Sequence, residues 1–358
     1  MRMYDRPGQG IAGAAHGRVN LIGEHTDYNG GLVLPTLIPQ RTIVRVRPRD
    51  GRAVTLSTAA PGMTMIATSL DDLQARGGWS DHVLGVVNAL INRGHVVGGF
   101  DGEVQSDIPI GAGLASSAAL AVATVRALHD AFGLSTDAME TWRVAHESEY
   151  SFVGARVGRM DQIACSLGKL GEALFIDTRN VRTLPVSFAH LDLEIAVIDS
   201  GIPHEHATGK YNERRAECEE AEKLLGVAAL RDVLPDADLS VLPKKLAKRV
   251  RHVLSENARV VAAVEAIGKG NIKNLGTIIN EGHVSLRDDY EVSVPAIDTI
   301  VAAAQQDTDV HGARMTGGGF GGSVLMLAKK GTAYAAAQRV VKAVGGKAKV
   351  IVPPKPTD

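Results

Sequence analysis

The run Pro109-Ile110-Gly111-Ala112-Gly113-Leu114-Ala115-Ser116-Ser117 passes without a break into the almost continuously apolar stretch LASSAALAVATVRALHDAF, which stops at Gly133. A helix of that character has to be buried, so the chain must supply a core around it. The loop ahead of the helix is a separate constraint. Free backbone N–H groups converge where a loop becomes a helix, the helix dipole adds positive potential, and glycine lets the backbone approach a ligand closely. The junction therefore suits phosphate, with Ser116 and Ser117 in the first turn, where a hydroxyl reaches a phosphate-bound Mg²⁺. A capped buried helix with no ligand accounts for the same residues. Gly168-Lys169, Gly209-Lys210 and Gly268-Lys269 lack the spacing and the following Ser or Thr of a Walker A loop.

At ~150 residues per domain, a chain of 358 predicts two domains. Strand-like segments (LVLP, TIVRVR and AVTLST around the Asp50-Gly51 turn, then ALFID and LEIAVID on either side of residue 185) mix with helical ones at 83 to 91, through the 140s up to Gly154, and over most of 212 to 280. They do not alternate regularly, so an α+β arrangement is expected in preference to a doubly wound sheet. A composition of 45% hydrophobic and 22% charged residues excludes disordered and fibrous classes. With Lys+Arg 39 against Asp+Glu 40, there is no global pull toward nucleic acid or an anionic membrane. Two cysteines, Cys165 and Cys218, make no disulfide framework and read as inert packing residues or surface thiols in a reducing compartment. The start MRMYDRPGQG lacks the apolar core of a signal peptide, and no stretch reaches the ~18 apolar residues of a membrane span. The expectation is a cytoplasmic protein in which any polyanion site is local.

Two further clusters concentrate polar chemistry. Gly17-Arg18-Val19-Asn20-Leu21-Ile22-Gly23-Glu24-His25-Thr26-Asp27-Tyr28-Asn29-Gly30-Gly31 packs a cation, two carboxylates and an imidazole into a short span. Carboxylates accept from adjacent hydroxyls, so Glu24 and Asp27 can grip a sugar-like ligand, with Arg18 beside a reacting oxygen. The alternative is a solvated turn with Asn29-Gly30 at its tip. In Ala313-Arg314-Met315-Thr316-Gly317-Gly318-Gly319-Phe320-Gly321-Gly322-Ser323, the glycines formally satisfy a dinucleotide fingerprint. A strand, SVLML, follows where that fingerprint needs a helix, so a loop that brings backbone close to a ligand is the better reading. Gly158-Arg159-Met160-Asp161-Gln162 places an acid between the glycine-rich loops, with Glu149 upstream on HESEYSF. Phosphoryl transfer asks little of a base, so Asp161 can orient a hydroxyl and collect its proton late; a helix-capping aspartate is the plainer reading. His204-Glu205-His206 lacks a convincing third ligand and is read as non-metal. Lys244, Lys245, Lys248, Arg249 and Arg251 have the spacing of a solvated helix face.

In this order the clusters resemble the GHMP small-molecule kinases, and the first is similar to the galactokinase signature. Lys210-Tyr211-Asn212-Glu213-Arg214-Arg215, Arg251-His252-Val253 with Glu256-Asn257-Ala258-Arg259, and Asn280-Glu281 through Ser285-Leu286-Arg287-Asp288-Asp289-Tyr290-Glu291 extend the resemblance over nearly the whole chain. It implies a two-domain GHMP kinase fold: a ribosomal-S5-like N-terminal domain over 1–182 and a ferredoxin-like C-terminal domain over 183–358. It implies an ATP-dependent sugar 1-kinase, a galactokinase, in which Asp161 is the base and Arg18 its partner. Glu24, His25, Thr26, Asp27, Gly158 and Tyr211 would contact the sugar together with Asp161. Gly111, Ala112, Gly113, Leu114, Ala115, Ser116 and Ser117 would wrap the triphosphate, and Ser117 with Glu149 would hold Mg²⁺. Trp79 matches a tryptophan on the family's nucleotide side, with a buried core tryptophan as the alternative. A monomer is expected. Arg159 stands where galactokinases usually carry an aliphatic residue, which leaves open a uronic acid or N-acetylated hexose as acceptor; a non-catalytic sugar and ATP sensor is the remaining alternative. Val157, Ala115, Ala121 and His82 also depart from the family's common residues, and none removes a group assigned to chemistry.

Overall fold

A computed structural model describes residues 10–60, 62–202 and 207–354. The His204-Glu205-His206 motif lies outside them. The chain divides into two compact units that interleave along the sequence. The first takes the chain to Arg18, then Gln40–Ile110 and Leu114–Gly168; the second takes Val19–Pro39, Gly111–Gly113 and the chain from Lys169 onward. Both mix helix and sheet, as expected for an α+β protein.

In the first unit the part of the strand Pro35–Pro48 from Gln40 onward pairs antiparallel with Phe100–Ser106, setting Thr42 opposite Ser106 and Pro48 opposite Phe100. Phe100–Ser106 pairs in parallel with Ala53–Thr58, whose other edge carries Ile66–Ser69. The glycine-rich loop opens the helix Ser116–Phe132, whose interior is buried as its composition requires and which ends at Gly133 with φ 63°. Helices Asp81–Asn92, Ala138–Glu147 and Met160–Leu167 pack against it through Val83, Leu84, Val87, Val144 and Ile163. The strand Ile11–Asn20, which the sequence reading did not identify, lies directly on this helix. A Cβ at Gly13 would fall on the backbone of Ala123 and Ala127, and Arg126 donates to the Ala14 carbonyl at 2.7 Å.

In the second unit an antiparallel sheet runs in the order Val310–Thr316, Ser323–Ala328, Glu194–Asp199, Lys349–Val352. Its apolar residues Ala196, Ile198, Met315, Val324 and Met326 pack with Leu286, Ile297, Ile300 and Val340, from the helices Ile272–Asp288, Pro295–Gln306 and Ala333–Val344. Helices Ala207–Leu225 and Lys244–Gly268 complete the unit. A separate ladder joins Glu172–Asp177 to Arg182–Ser187, so residue 185 sits inside a strand rather than in a connection. The expectation of a solvated basic face on Lys244–Gly268 fails at Arg249. That side chain is 1% exposed, donating to Glu217 at 2.6 Å and Glu291 at 2.9 Å, because its stem is covered by Ala207–Leu225 and Tyr290. Both cysteines are buried and free. Among the described residues no helix is long and apolar enough to cross a membrane.

Candidate active site

The first unit brings together four of the expected residues. Arg18 lies near the end of its strand with a buried side chain, and its backbone N–H donates to the Leu114 carbonyl of the glycine-rich loop at 3.2 Å. Its guanidinium grips Asp161 in a two-point pair, Nε to Oδ1 at 2.8 Å and Nη2 to Oδ2 at 2.7 Å, across 143 residues of sequence. A bidentate guanidinium–carboxylate pair fixes both groups in one plane. Asp161 stays half-buried on the first turn of Met160–Leu167, so it is held on one side and reachable on the other.

Glu149 is carried by a π-helical turn, Ser148–Phe152, that extends Ala138–Glu147. Such turns break the regular hydrogen-bond ladder and re-aim a side chain. The Ser117 hydroxyl donates to Glu149 Oε1 at 2.7 Å, and Gln162 Nε2 donates to Oε2 at 2.6 Å. Gln162, buried beside Asp161 in sequence, thus ties the helix of Asp161 to this carboxylate; the sequence reading assigned it no role. Hydroxyl and carboxylate oxygens fit a hard cation. Among the described residues no group of three or more His, Cys, Asp or Glu forms a ligand cage. A cation held by one carboxylate and one hydroxyl keeps positions for phosphate and water, as Mg²⁺ prefers. The capped-helix alternative for the loop does not hold, since the N-cap position is Ala115 in a left-handed conformation with no side-chain cap. Beside Ser116 and Ser117 opens a cavity of about 300 Å³ lined by Trp79, His82, Met63, Ile110 and Leu120. Gly158 is buried, and Arg159 is exposed.

The second unit holds the remaining residues. Gly111–Gly113 meets the third glycine cluster: Ser323 Oγ donates to the Ala112 carbonyl at 2.7 Å, and a Cβ on Gly317 would stand 3.3 Å from Gly113 Cα. That cluster joins two antiparallel strands, Val310–Thr316 and Ser323–Ala328, which excludes a Rossmann turn as the sequence indicated. Its Phe320 adopts φ 60° and lies under Lys210 Nζ at 5.1 Å and the Arg214 guanidinium at 5.7 Å.

Asn29-Gly30 does form a turn, Asp27–Asn29 closed by left-handed Gly30, but it is packed rather than solvated, with Asn29 1% exposed. Glu24 is buried and fully engaged. It pairs with Arg314 and accepts from Asn20 Nδ2 at 3.0 Å, Thr316 Oγ1 at 2.9 Å and the Gly317 amide at 3.3 Å. Arg314 also reaches Glu256 at 3.2 Å, which accepts from Arg259 at 2.8 Å and from the Gly23 amide at 2.9 Å. Burial pushes the Glu24 carboxyl up to about 7 against the pull of Arg314. Burial also acts to raise Glu256, but Arg314 and Arg259 hold it down at about 2. The Thr26 hydroxyl donates within the turn, to the Gly23 and Leu32 carbonyls. Asp27 is half-buried, with Oδ1 accepting from the Tyr28 amide at 3.0 Å. His25 has φ 62°, and its ring is buried against Tyr290, Tyr211 and Tyr28, at centroid distances of 4.7, 5.5 and 5.9 Å. Burial drives its pKa down to about 3, so the imidazole is neutral. Arg314, Glu256 and Tyr290 stand in motifs visible in the sequence, yet no spacing marks them as partners of residues 24 and 25.

Residues 81–169 match the family description "GHMP kinases N terminal domain", residues 263–347 match "GHMP kinases C terminal", and residues 1–48 match "Galactokinase galactose-binding signature". A galactokinase of Thermotoga neapolitana is 41% identical over 320 residues, covering 88% of this chain and 89% of that one. A galactokinase of Streptomyces coelicolor is 41% identical over 324 residues, with 88% and 83% covered. The crystal structure of Lactococcus lactis galactokinase complexed with galactose superposes with a TM-score of 0.90 at 33% identity, covering 95% of this chain and 92% of that one. A two-unit α+β chain that carries the galactose-binding signature ahead of both GHMP domains, with relatives at this identity over nearly their whole length, belongs to the galactokinase family of GHMP kinases.

Proposed function

We propose that this chain transfers the γ-phosphoryl group of ATP to the anomeric hydroxyl of α-D-galactose, giving galactose 1-phosphate and ADP. The observation that carries the reading is the Arg18–Asp161 pair, locked in two hydrogen bonds next to a loop-to-helix junction that has no side-chain cap. In a loose transition state the attacking oxygen needs placement more than deprotonation. Asp161 accepts a hydrogen bond from the C1 hydroxyl and takes its proton late, while Arg18, protonated throughout, holds Asp161 in plane and stabilises charge gathering on the C1 oxygen.

The backbone from Gly111 to Ser117 wraps the triphosphate, and the apolar cavity beside Ser116 receives the base against Trp79. His82 Nδ1, buried without a hydrogen-bond partner among the described residues, supplies a polar contact there. Ser117 and Glu149 hold Mg²⁺. When bound, the ion offsets charge on the β- and γ-phosphates. Glu24, His25, Asp27, Gly158 and Tyr211 read the sugar, with Glu24 held in place by Arg314. Thr26 supports the turn that carries them. The exposed position of Arg159 favours galactose over an anionic acceptor. We read residues 1–182 and 183–358 as the family's two domains, in a monomer that works in the cytoplasm, consistent with two buried free thiols.

ADP release with purified protein, MgATP and a panel of galactose, glucose, N-acetylgalactosamine, galacturonate and arabinose tests the proposal, with products identified by phosphorus NMR. Galactose 1-phosphate as the dominant product is expected. Turnover confined to another sugar refutes the acceptor, and silence across the panel refutes the enzyme.

A further inference from the structure

Gln162 is fully buried, yet only one of its two polar ends is used. Its Nε2 donates to Glu149 Oε2 at 2.6 Å, while its Oε1 meets no hydrogen-bond donor among the described residues. The amide can stand only this way round, because the reverse would set a carbonyl oxygen against a carboxylate oxygen at the same distance. A buried acceptor left unpaired destabilises the fold, and an apolar side chain of the same length would avoid it. What the amide contributes is its N–H.

That N–H divides the two oxygens of Glu149 between different tasks. Oε1 accepts from the Ser117 hydroxyl at 2.7 Å, in the first turn of the helix that opens from the glycine-rich loop. Oε2 is held from the helix Met160–Leu167 by Gln162. The frame is rigid: Met160–Leu167 packs against both Ser116–Phe132 and Ala138–Glu147, and the π-helical turn carrying Glu149 runs directly on from the latter. Glu149 is 6% exposed, so its carboxylate has little freedom to turn.

The division matters for the choice of cation. Ca²⁺ takes roughly six to eight oxygens and accepts both from one carboxylate, whereas Mg²⁺ demands a near-ideal octahedron and keeps several waters. The two oxygens of one carboxylate lie too close together to fill two corners of that octahedron. For Glu149 to grip a cation with both oxygens, Oε2 would have to leave Gln162 Nε2, and both polar ends of a buried amide would then be unpaired. Coordination through one oxygen leaves the Gln162 bond intact.

We infer that Gln162 is a positioning residue that reserves Glu149 Oε2, leaves a single carboxylate oxygen for the nucleotide's cation, and so makes the site prefer Mg²⁺ to Ca²⁺. This rests on the reading above of Ser117 and Glu149 as the cation's ligands; the hydrogen bond from Gln162 does not. Selectivity between the two ions follows from ligand number and rigidity, since their charges are equal. The neighbouring Asp161 is held by Arg18 through bonds that do not involve the amide, so a substitution at 162 leaves that pair its partners.

The test is equilibrium binding of a non-hydrolysable ATP analogue to the full chain, with saturating Mg²⁺ and separately with saturating Ca²⁺, in wild type, Gln162→Met and Glu149→Gln. Calorimetry reads the Kd of each complex without turnover. Wild type should bind the Mg²⁺ complex more tightly. Gln162→Met keeps the length and removes both polar ends, and it should narrow the ratio of the two Kd values about tenfold, chiefly by tightening the Ca²⁺ complex. Gln162→Leu is the second variant and should move the ratio the same way, with urea unfolding showing that both are folded. A wild type without preference, a ratio unchanged in both variants, or Mg²⁺ and Ca²⁺ complexes weakened by the same factor overturns the inference. If Glu149→Gln alters the metal dependence in the same series, that failure leaves the ligand reading standing. A Glu149→Gln chain whose Kd values match wild type overturns the ligand reading, and the role of Gln162 falls with it.

Discussion

Replacing Arg314 with Met is the sharpest perturbation of the buried charges around the turn at residues 23–30. Arg314 is fully buried between Glu24 and Glu256 and also donates to the Leu21 and Met315 carbonyls at 3.1 Å each. Methionine keeps the length and removes the charge. Removing one partner of a buried ion pair typically costs 3–5 kcal/mol, because a carboxylate is left desolvated. The lower end, about 3 kcal/mol, applies here: Glu256 retains Arg259 and the Gly23 amide, and Glu24 retains Asn20, Thr316 and Gly317. The loss has a pH signature. Without Arg314 both carboxyls have folded pKa values raised above those in the unfolded chain. Stability is then intact at low pH and falls as pH rises through the folded values. Urea unfolding followed by circular dichroism at pH 8 and pH 5.5 should therefore show a larger deficit for Arg314→Met at pH 8. A deficit below about 1 kcal/mol, or one equal at both pH values, would refute the account of Arg314 as the counter-charge of both acids.

Asp161→Asn keeps the shape of the base and removes its charge, so turnover should fall at least ~100-fold while ATP and galactose affinities stay within about tenfold; unchanged turnover removes Asp161 from the chemistry. Glu149→Gln should raise the Mg²⁺ concentration needed for half-maximal rate, and direct Mn²⁺ binding in the presence of nucleotide should weaken in parallel; an unaltered Mg²⁺ requirement places the cation elsewhere. Gly13→Ala pushes a methyl group into the backbone of Ala123 and Ala127, under the helix that begins at Ser116. Overpacking of that kind costs about 1–3 kcal/mol, and an unchanged urea midpoint would show that the strand can lift away freely.

The helix Ser116–Phe132 was legible almost to the residue because its apolar run from Ala118 to Leu128 is broken only by Thr124 and Arg126 and Gly133 marks its end. The hairpin at Gly317 was legible because a strand, not a helix, follows the glycines. The strand Ile11–Asn20 was not: its letters, IAGAAHGRVN, are small and partly polar, and they suit a strand only because Gly13 and Ala14 must lie flat against the helix at Ala123 and Arg126. Arg249 illustrates the same limit. Helical periodicity placed it among lysines, whereas Glu217 and Glu291, distant in sequence, draw it inside. In the candidate site the residue types were readable from three clusters, and the pairings of Arg18 with Asp161 and Ser117 with Glu149 came from the family resemblance, not from spacing. Nothing in a one-dimensional spacing links Arg18 to Asp161, Glu149 to Gln162, or His25 to Tyr290; those links exist only once the core has folded.

Each of the three clusters spends left-handed backbone on a residue other than glycine: His25, Ala115 and Phe320, with φ of 62°, 58° and 60°. L-residues in that region carry a penalty of roughly 1–2 kcal/mol apiece. A laboratory programme that screens for heat tolerance would test glycine at these positions early, since the substitution relieves the clash. Two of those gains would come with a loss, because glycine at 25 deletes the imidazole and at 320 the ring beneath Lys210 and Arg214. Ala115 alone has no side chain to forfeit beyond a methyl group. There the gain would disturb the phosphate-loop reading least, since the loop offers backbone N–H groups rather than a side chain at that position.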